Sequence, residues 1–344
     1  MKRFHILLLA VLVAAPAATA QTRAGTTAGT FLTLGTGARG SALGHAYTSI
    51  ATGADALFWN PGGASRPYLG RHRGEAFFTH HDWLADIEYN AAAVVVPAFG
   101  SGVLGLSIAS VDYGSMAVRT VTRPEGTGET FDAADMSVGL TYAMPLTPQF
   151  NFGVTAKYVS QRIRDMSAST VAFDVGFVLA TDYFNGMQVA ASIMNFGGKM
   201  QMDGINSESN IDIDPVNTGT SESIPVRIRM DQWDLPIAFK FGVALPLVKA
   251  GNIEVLALAD ANQTNDNNLN SDFGGQFRYA TNTLTFDARL GYKDAFLEDN
   301  VDSHLTYGVG IDVQVASVRF GFDFAYVPFD LLDDVRMFDF RVYF

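Results

Sequence analysis

"HLTYGVGIDVQVASVRFGFDFAY", residues 304–326, decides the fold. Leu305, Tyr307, Val309, Ile311 and Val313 alternate with Thr306, Gly308, Gly310, Asp312 and Gln314. After the break at "VAS", Phe320, Phe322, Phe324 and Tyr326 alternate with Arg319, Gly321, Asp323 and Ala325. A period of two belongs to an extended strand, whose successive side chains point to opposite faces. A helix would scatter these charges through an apolar stripe. One face of each run is aromatic and aliphatic; the other is small, polar or charged.

The same pattern extends in both directions. In "LTFDARLGYK" (284–293), Leu284, Phe286, Ala288 and Leu290 face away from Asp287 and Arg289. At the C-terminus, "FDFRVYF" sets Phe338, Phe340, Val342 and Phe344 against Asp339 and Arg341. Lys157, Asp174 and Lys240 fall on the same polar face as Asp287, Arg289, Asp312, Arg319, Asp323, Asp339 and Arg341. Two architectures accommodate such strands. In a soluble sandwich the aromatic face is a core between sheets and the charged face is wet. In a membrane barrel the aromatic face meets lipid and the charged face lines the lumen.

Strand number and loop size decide for the barrel. Fourteen runs start near Gly74, Asp86, Gly102, Asp132, Gln149, Ser167, Gly186, Leu235, Gly251, Leu269, Asn282, Asp302, Ala316 and Asp333. Short connections ("PAFGSG", "PLTPQ", "TDYFNG", "PLVKAGN", "YATN", "VAS") alternate with longer ones at 80–85, 114–131, 162–166, 197–234, 262–268, 294–301 and 328–332. Short inner turns, longer outer loops and an even strand number are the habits of outer-membrane barrels. Residues 90–111 are apolar and long enough for a spanning helix, but "PAFGSG" interrupts them as a hairpin turn. The fold expected is all-β: a 14-stranded antiparallel transmembrane barrel over residues 66–344.

The chain ends agree. Residues 1–20 carry Lys2 and Arg3, an apolar stretch, and the small-residue site Ala18-Thr19-Ala20, which reads as a Sec signal peptide. Phe344 and Phe340 close the last strand in the manner of the C-terminal signal that the barrel-assembly machinery reads. The chain has no cysteine, so disulfides and thiolate metal sites are excluded. A net charge of −12 makes nucleic acid an unsuitable partner.

Between signal and barrel, residues 21–65 are rich in Gly, Ala and Thr and lack the alternation. They include "LGTGARGSALG" (34–44), in which Gly35, Gly37 and Gly40 match the dinucleotide spacing G-x-G-x-x-G. "FLTL" (31–34) could serve as its short strand and Asp55 lies roughly where its acidic residue belongs, but an exported segment does not meet a soluble dinucleotide. A plug within the barrel is the better reading, with Gly35, Gly37, Gly40 and Gly44 serving tight turns and close approach to the wall. Arg39 would then pair with a lumen carboxylate such as Asp287 or Asp323.

The segment also carries a resemblance. "F-L-x-L-G-x-G-A-R" (31–39), "A-L-G-x-A-Y" (42–47) and "A-x-x-W-N-P-G" (56–62) resemble the N-terminal region of the PorV/PorQ family. Those proteins are related to FadL-type fatty-acid transporters, and many serve type IX secretion. The resemblance implies a FadL-like barrel with an N-terminal hatch, Asn60 and Pro61 standing in the hatch motif. Where FadL-type hatches commonly read Asn-Pro-Ala, this chain has Asn60-Pro61-Gly62. It implies an outer-membrane protein of a Gram-negative bacterium that contacts secreted cargo or secretion-system subunits. FadL relatives instead pass hydrophobic small molecules through the hatch and a lateral opening in the wall. A purely structural barrel is a third option.

Enzyme and metal readings are weaker. His80 and His81 are adjacent on an extended chain and point to opposite faces, a poor chelate for the first outer loop. "NQTNDNNLNSD" (262–272) is rich in oxygen ligands but lacks the Gly-and-Glu pattern of an EF-hand, so a solvated loop is expected. Ser303 and His304 are strand neighbours facing apart, His72 belongs near the opposite rim, and no nucleophile-elbow motif occurs. No catalytic residue, metal or cofactor is therefore expected. The connection 197–234 carries Met200, Met202, Ile205, Ile211, Ile213, Ile224, Val226, Ile228, Met230 and Trp233. So apolar a loop is either folded over the barrel mouth or a contact surface for a partner. Ile224, Ile228 and Trp233 are the candidate contacts for a protein or, in the transport reading, for a hydrophobic ligand.

Overall fold

The computed structural model describes residues 25–66, 74–211, 224–296, 304–329 and 333–344. The expected signal peptide, residues 21–24, His72, Ile213 and Ser303 lie outside these residues. Fourteen antiparallel strands form the wall: β1 Glu75–Asp82, β2 Glu88–Pro97, β3 Val103–Ala117, β4 Thr130–Pro145, β5 Phe150–Ile163, β6 Met166–Ala180, β7 Gln188–Gly197, β8 Ala238–Ala250, β9 Ile253–Thr264, β10 Asn270–Ala280, β11 Leu284–Ala295, β12 Leu305–Val315, β13 Val318–Val327 and β14 Val335–Tyr343. Each start falls within three residues of the expected one.

Every strand pairs with its sequence neighbour, and β14 pairs with β1. Phe78 lies opposite Phe340 and Thr79 opposite Asp339. Beyond the strand ends, Gly74 N–H donates to Phe344 O at 2.8 Å and Phe344 N–H to Gly74 O at 3.0 Å. The ring has no free edge, which is what allows a sheet to sit in lipid.

Alternation sets the two faces. Phe340 is 48% exposed, and Arg341 beside it is fully buried. The outward face is apolar and partly stacked across strands: Phe320 on Phe340 and Tyr307 on Tyr326 have ring centroids 6.3 and 5.1 Å apart. With no water in the hydrocarbon layer, this is the surface that lipid covers.

Several loops differ from expectation. The connection at 162–166 shrinks to Arg164 and Asp165, because β5 and β6 stay paired as far as Ile163 and Met166. Arg164 takes φ 53° there. His80 and His81 belong to β1 and not to a loop, and the following turn closes with Trp83 N–H donating to Ile87 O at 2.6 Å. Most of "PLVKAGN" is strand, with a register shift between Pro246 and Val248.

Residues 25–66 lie inside the ring. They contain a 3-10 turn Thr30–Thr33, helices α1 Ala38–Ala42 and α2 Gly53–Trp59, and a 3-10 turn Pro61–Ser65. Their contacts go all round the wall: Gly29 to Gln161 on β5, Ala38 to Asp339 on β14, Gly44 to Thr306 on β12, Thr48 to Asp260 on β9 and Asn60 to Phe177 on β6. The segment starts at the end bearing the longer loops, where Thr27 donates to Asp266 at 2.9 Å. It finishes at the short-turn end, where Ser65 meets Asn151 and Arg66 donates to Gln188. By loop asymmetry the first end faces outward.

Candidate functional site

The glycine stretch approaches the wall at close range. Gly37 takes φ 88°, and a Cβ there would lie 3.0 Å from the Phe77 ring and 3.1 Å from Asp339. Without one, Ala38 N–H donates to Asp339 Oδ2 at 2.7 Å. Gly44, at φ 63°, passes the β11 backbone where a Cβ would sit 2.6 Å from Tyr292 N. Gly35 and Gly40 face the rings of His45 and Trp59. The helix that follows is five residues long, so no phosphate-binding turn is formed. Asn60 accepts from Gly62 N–H and donates to Thr48 O and Phe177 O, each at 3.1 Å, while Pro61 opens the last 3-10 turn.

Around α1, carboxylates and guanidiniums interleave. Arg39 approaches Asp323 at 3.3 Å, Asp312 at 3.5 Å and Asp55 at 4.0 Å. Arg341 pairs with Asp323 and reaches Asp55 at 3.7 Å. Arg289 bridges Asp323 at 2.5 Å and Asp287 at 2.7 Å. Asp287 is thus taken by Arg289 and by Arg278, at 2.7 Å, and Arg39 turns to Asp323 instead. Asp55 and Arg278 were not among the expected charges. Their roles follow from the depth of α2 and from cross-strand register, which periodicity does not report. These groups are nearly all buried, so each depends on its partners and not on water.

The other lumen charges are held separately. Lys157 pairs with Asp174 at 2.8 Å and donates to Asn195. A register shift between Phe173 and Val175 puts Met194 and Asn195 together opposite Asp174, with Asn195 at φ 62°. Arg319 donates to Thr285. Lys240 places its Nζ 4.8 Å above the Trp59 ring.

The connection 197–234 is folded, in its described parts, over the outer mouth. Met200 and Trp233 exchange backbone hydrogen bonds at 2.8 and 2.9 Å, and Ala28 N–H donates to Asp234 O at 2.9 Å. Met200 is only 1% exposed, packed with Phe31 and Leu235, so this part of the loop is folded down onto the mouth while Ile224, Ile228 and Trp233 stay exposed. A short hairpin pairs 208–211 with 224–227. Ile224 and Ile228 are exposed there or just beyond.

Beneath this loop lies an open groove of about 270 Å³. Met200, Met202, Trp233, Gln161, Ile163 and Ala168 line it together with Gly25 and residues 27–30. Deeper in the lumen, Phe31, Leu32, Phe58, Tyr89, Lys157 and Met194 surround a cavity of about 40 Å³. Phe31 and Leu32, which line this cavity, follow directly in sequence on Gly29 and Thr30, which line the groove.

Histidines take structural positions. His81 stacks on Tyr89, ring centroids 4.7 Å apart, and His80 hydrogen-bonds Asn90 at 2.9 Å. Among the described residues, no group of three or more His, Cys, Asp or Glu side chains is placed to hold a metal. His304 packs 5.3 Å from the Tyr292 ring.

No family sequence model matches the chain. No curated protein matches it either. Solved structures do. The CymD monoaromatic hydrocarbon channel has a TM-score of 0.57 at 9% identity, covering 89% of this chain and 96% of that one. The Ralstonia pickettii toluene transporter TbuX has a TM-score of 0.55 at 11% identity, covering 90% and 98%. A Pseudomonas aeruginosa FadL homologue has a TM-score of 0.50 at 10% identity, covering 89% and 98%. At such identities the likeness is one of fold: this chain is a closed, fourteen-stranded antiparallel barrel of FadL-like architecture.

Proposed function

We propose that the protein is a non-enzymatic outer-membrane barrel of a Gram-negative bacterium that takes up hydrophobic small molecules from the outer side. The observation that carries this reading is the groove under Met200, Met202 and Trp233. An apolar cavity of about 150 Å³ is enough to hold benzene. The groove, at about 270 Å³, is open to solvent and partly polar, with room for such a molecule against Met200, Met202, Ile163 and Trp233, whereas the lumen cavity at about 40 Å³ is too small for one. Ligand would therefore be captured at the outer mouth, and passage would require the hatch formed by residues 25–66 to shift around Phe31 and Leu32. The structural neighbours that carry hydrocarbons support the same reading.

A PorV/PorQ-type role in type IX secretion is the second reading. It is favoured by the motif resemblance at 31–62 and by Ile224 and Ile228, which are exposed and belong to neither the groove nor the core. The groove and the hairpin separate the two readings. For the purified barrel, binding of toluene and of dodecanoate would be measured by calorimetry for M202S/W233S and for I224S/I228S. Loss of two large apolar contacts at about 1.5–3 kcal/mol each predicts at least a tenfold weaker Kd in the first variant and none in the second. If wild type binds neither probe, and I224S/I228S loses a co-purifying secreted protein, the secretion reading takes its place.

A further inference from the structure

At the inner end of the barrel the short turns are not alike. Phe99 tips the β2–β3 turn, Leu146 the β4–β5 turn, and Tyr183 and Phe184 the β6–β7 turn. On β8, the register shift between Pro246 and Val248 throws Leu247 out of the ladder. All five side chains are exposed, Phe99 at 82% and Tyr183 at 75%, well above the 48% of Phe340 on the wall. The β10–β11 turn instead reads Thr281-Asn282-Thr283, and the β12–β13 turn Ala316-Ser317.

The apolar turns follow one another round the rim, because strands consecutive in sequence are neighbours in the ring. They are also tied together. Tyr142 of β4 donates to Phe99 O at 3.4 Å, Gln149 to Asp182 at 2.8 Å, and Asn185 to Pro246 O at 3.4 Å. The tips therefore form one ordered arc and not four separate loops. Just above it the lipid-facing wall is already apolar: Val96 is exposed, and Phe150 and Phe177 set their rings 5.5 Å apart. Residues 98–102 and 146–149 carry no charge, and Asp182 is occupied by Gln149. A contiguous apolar surface of this kind marks contact with a membrane or a protein.

We propose that this arc is embedded in the inner leaflet, so that the barrel sits lower in the membrane on its β2–β9 side. Continuity decides the occupant, since the arc extends the same face that lipid covers higher on the wall. Aromatic side chains settle at the headgroup level of a bilayer, where one end is apolar and the other wet. In an upright barrel the five tips would project below that level into water. A rigid lean also lowers the outer rim on the same side, which brings Ile163 and Ala168 of the groove toward the outer leaflet. The inference goes beyond uptake: it concerns how the wall sits, and holds whether or not the groove takes a ligand.

The test uses the full chain reconstituted in vesicles of phosphatidylethanolamine and phosphatidylglycerol. The chain has no cysteine, so Phe99→Cys, Phe184→Cys, Thr283→Cys and Ser317→Cys each accept a single polarity-sensitive fluorophore. Lipids with a nitroxide near the headgroup should quench the labels at 99 and 184 at least twice as strongly as those at 283 and 317. Leu146→Cys, which leaves every ring in place, should behave like Phe99→Cys. Heat-modifiable mobility confirms that each variant is a folded barrel. Equal quenching at all sites overturns the lean, and unquenched labels at 99, 146 and 184 overturn the embedding. If those three are unquenched in vesicles but closed to a water-borne maleimide in whole outer membranes, a periplasmic protein covers the arc instead, and the lipid assignment falls.

Discussion

Asp323 is the residue on which the lumen charges converge. Its carboxylate meets guanidiniums from three directions: Arg39 on the inner segment, Arg289 on β11 and Arg341 on β14. Buried ion pairs are weak evidence of net stabilisation, because desolvation offsets the attraction. Removing one member is another matter, since it leaves uncompensated charge behind. Asp323→Asn should therefore lower unfolding free energy by about 3–5 kcal/mol, read from the urea midpoint of the refolded barrel. A midpoint within error of wild type would mean that Asp312, Asp55 and Asp287 suffice for all three arginines. The sequence showed that Arg39 needed a lumen carboxylate and included Asp323 among the choices. It did not show that Asp55 of α2 joins the same group, because that depends on how deep the segment sits.

Elements differ in how far they could be read in advance. The wall strands were legible because lipid on one side and a polar lumen on the other impose a strict period of two along each strand. The inner segment has no such period. Its path is set by contacts with residues distant in sequence, such as Gly44 against Tyr292 and Asn60 against Phe177. Composition allowed the connection 197–234 to fold over the mouth, but that Met200 is the residue buried there depends on contacts with Phe31 and Leu235 for the same reason. His45 makes this element sensitive to acid. Its ring packs edge-on to Trp59, centroids 5.5 Å apart, and burial, together with the nearby Lys240 and Lys293, pushes the imidazole down to about 3 from its ordinary 6.5. A group whose pKa is lower when docked binds its proton more tightly when undocked. Docking should thus be fully stable above about pH 6.5 and weaken as pH falls toward 3. Planar-bilayer conductance should rise between pH 7 and pH 4 in wild type, and His45→Gln should flatten that rise. An equal rise in both proteins would assign it to other groups.

At the scale of the whole molecule, closure of the ring separates assembly from stability. β14 is held on both sides, by β13 from Arg319↔Tyr343 to Val327↔Val335 and by β1 from Glu75↔Tyr343 to His81↔Met337. Phe344 adds one pair of backbone hydrogen bonds with Gly74 beyond that ladder, and its ring lies on the lipid side, 47% exposed. Deleting it removes only this last pair, and the finished wall keeps every other rung. Refolding in vitro into lipid should therefore give a heat-modifiable barrel with an urea midpoint near that of wild type. In cells the outcome should differ. If the assembly machinery reads the terminal aromatic, the Phe344 deletion and Phe344→Asp should both lower outer-membrane levels severalfold, while Phe344→Tyr, which keeps a ring at the same place, should restore them. Normal levels of all three variants would show that closure by β1 and β14 is all that insertion requires. A deletion that fails to refold in vitro would show that Phe344 acts through the wall itself, by covering Gly74, whose position a Cβ would share with the Phe344 ring at 2.6 Å.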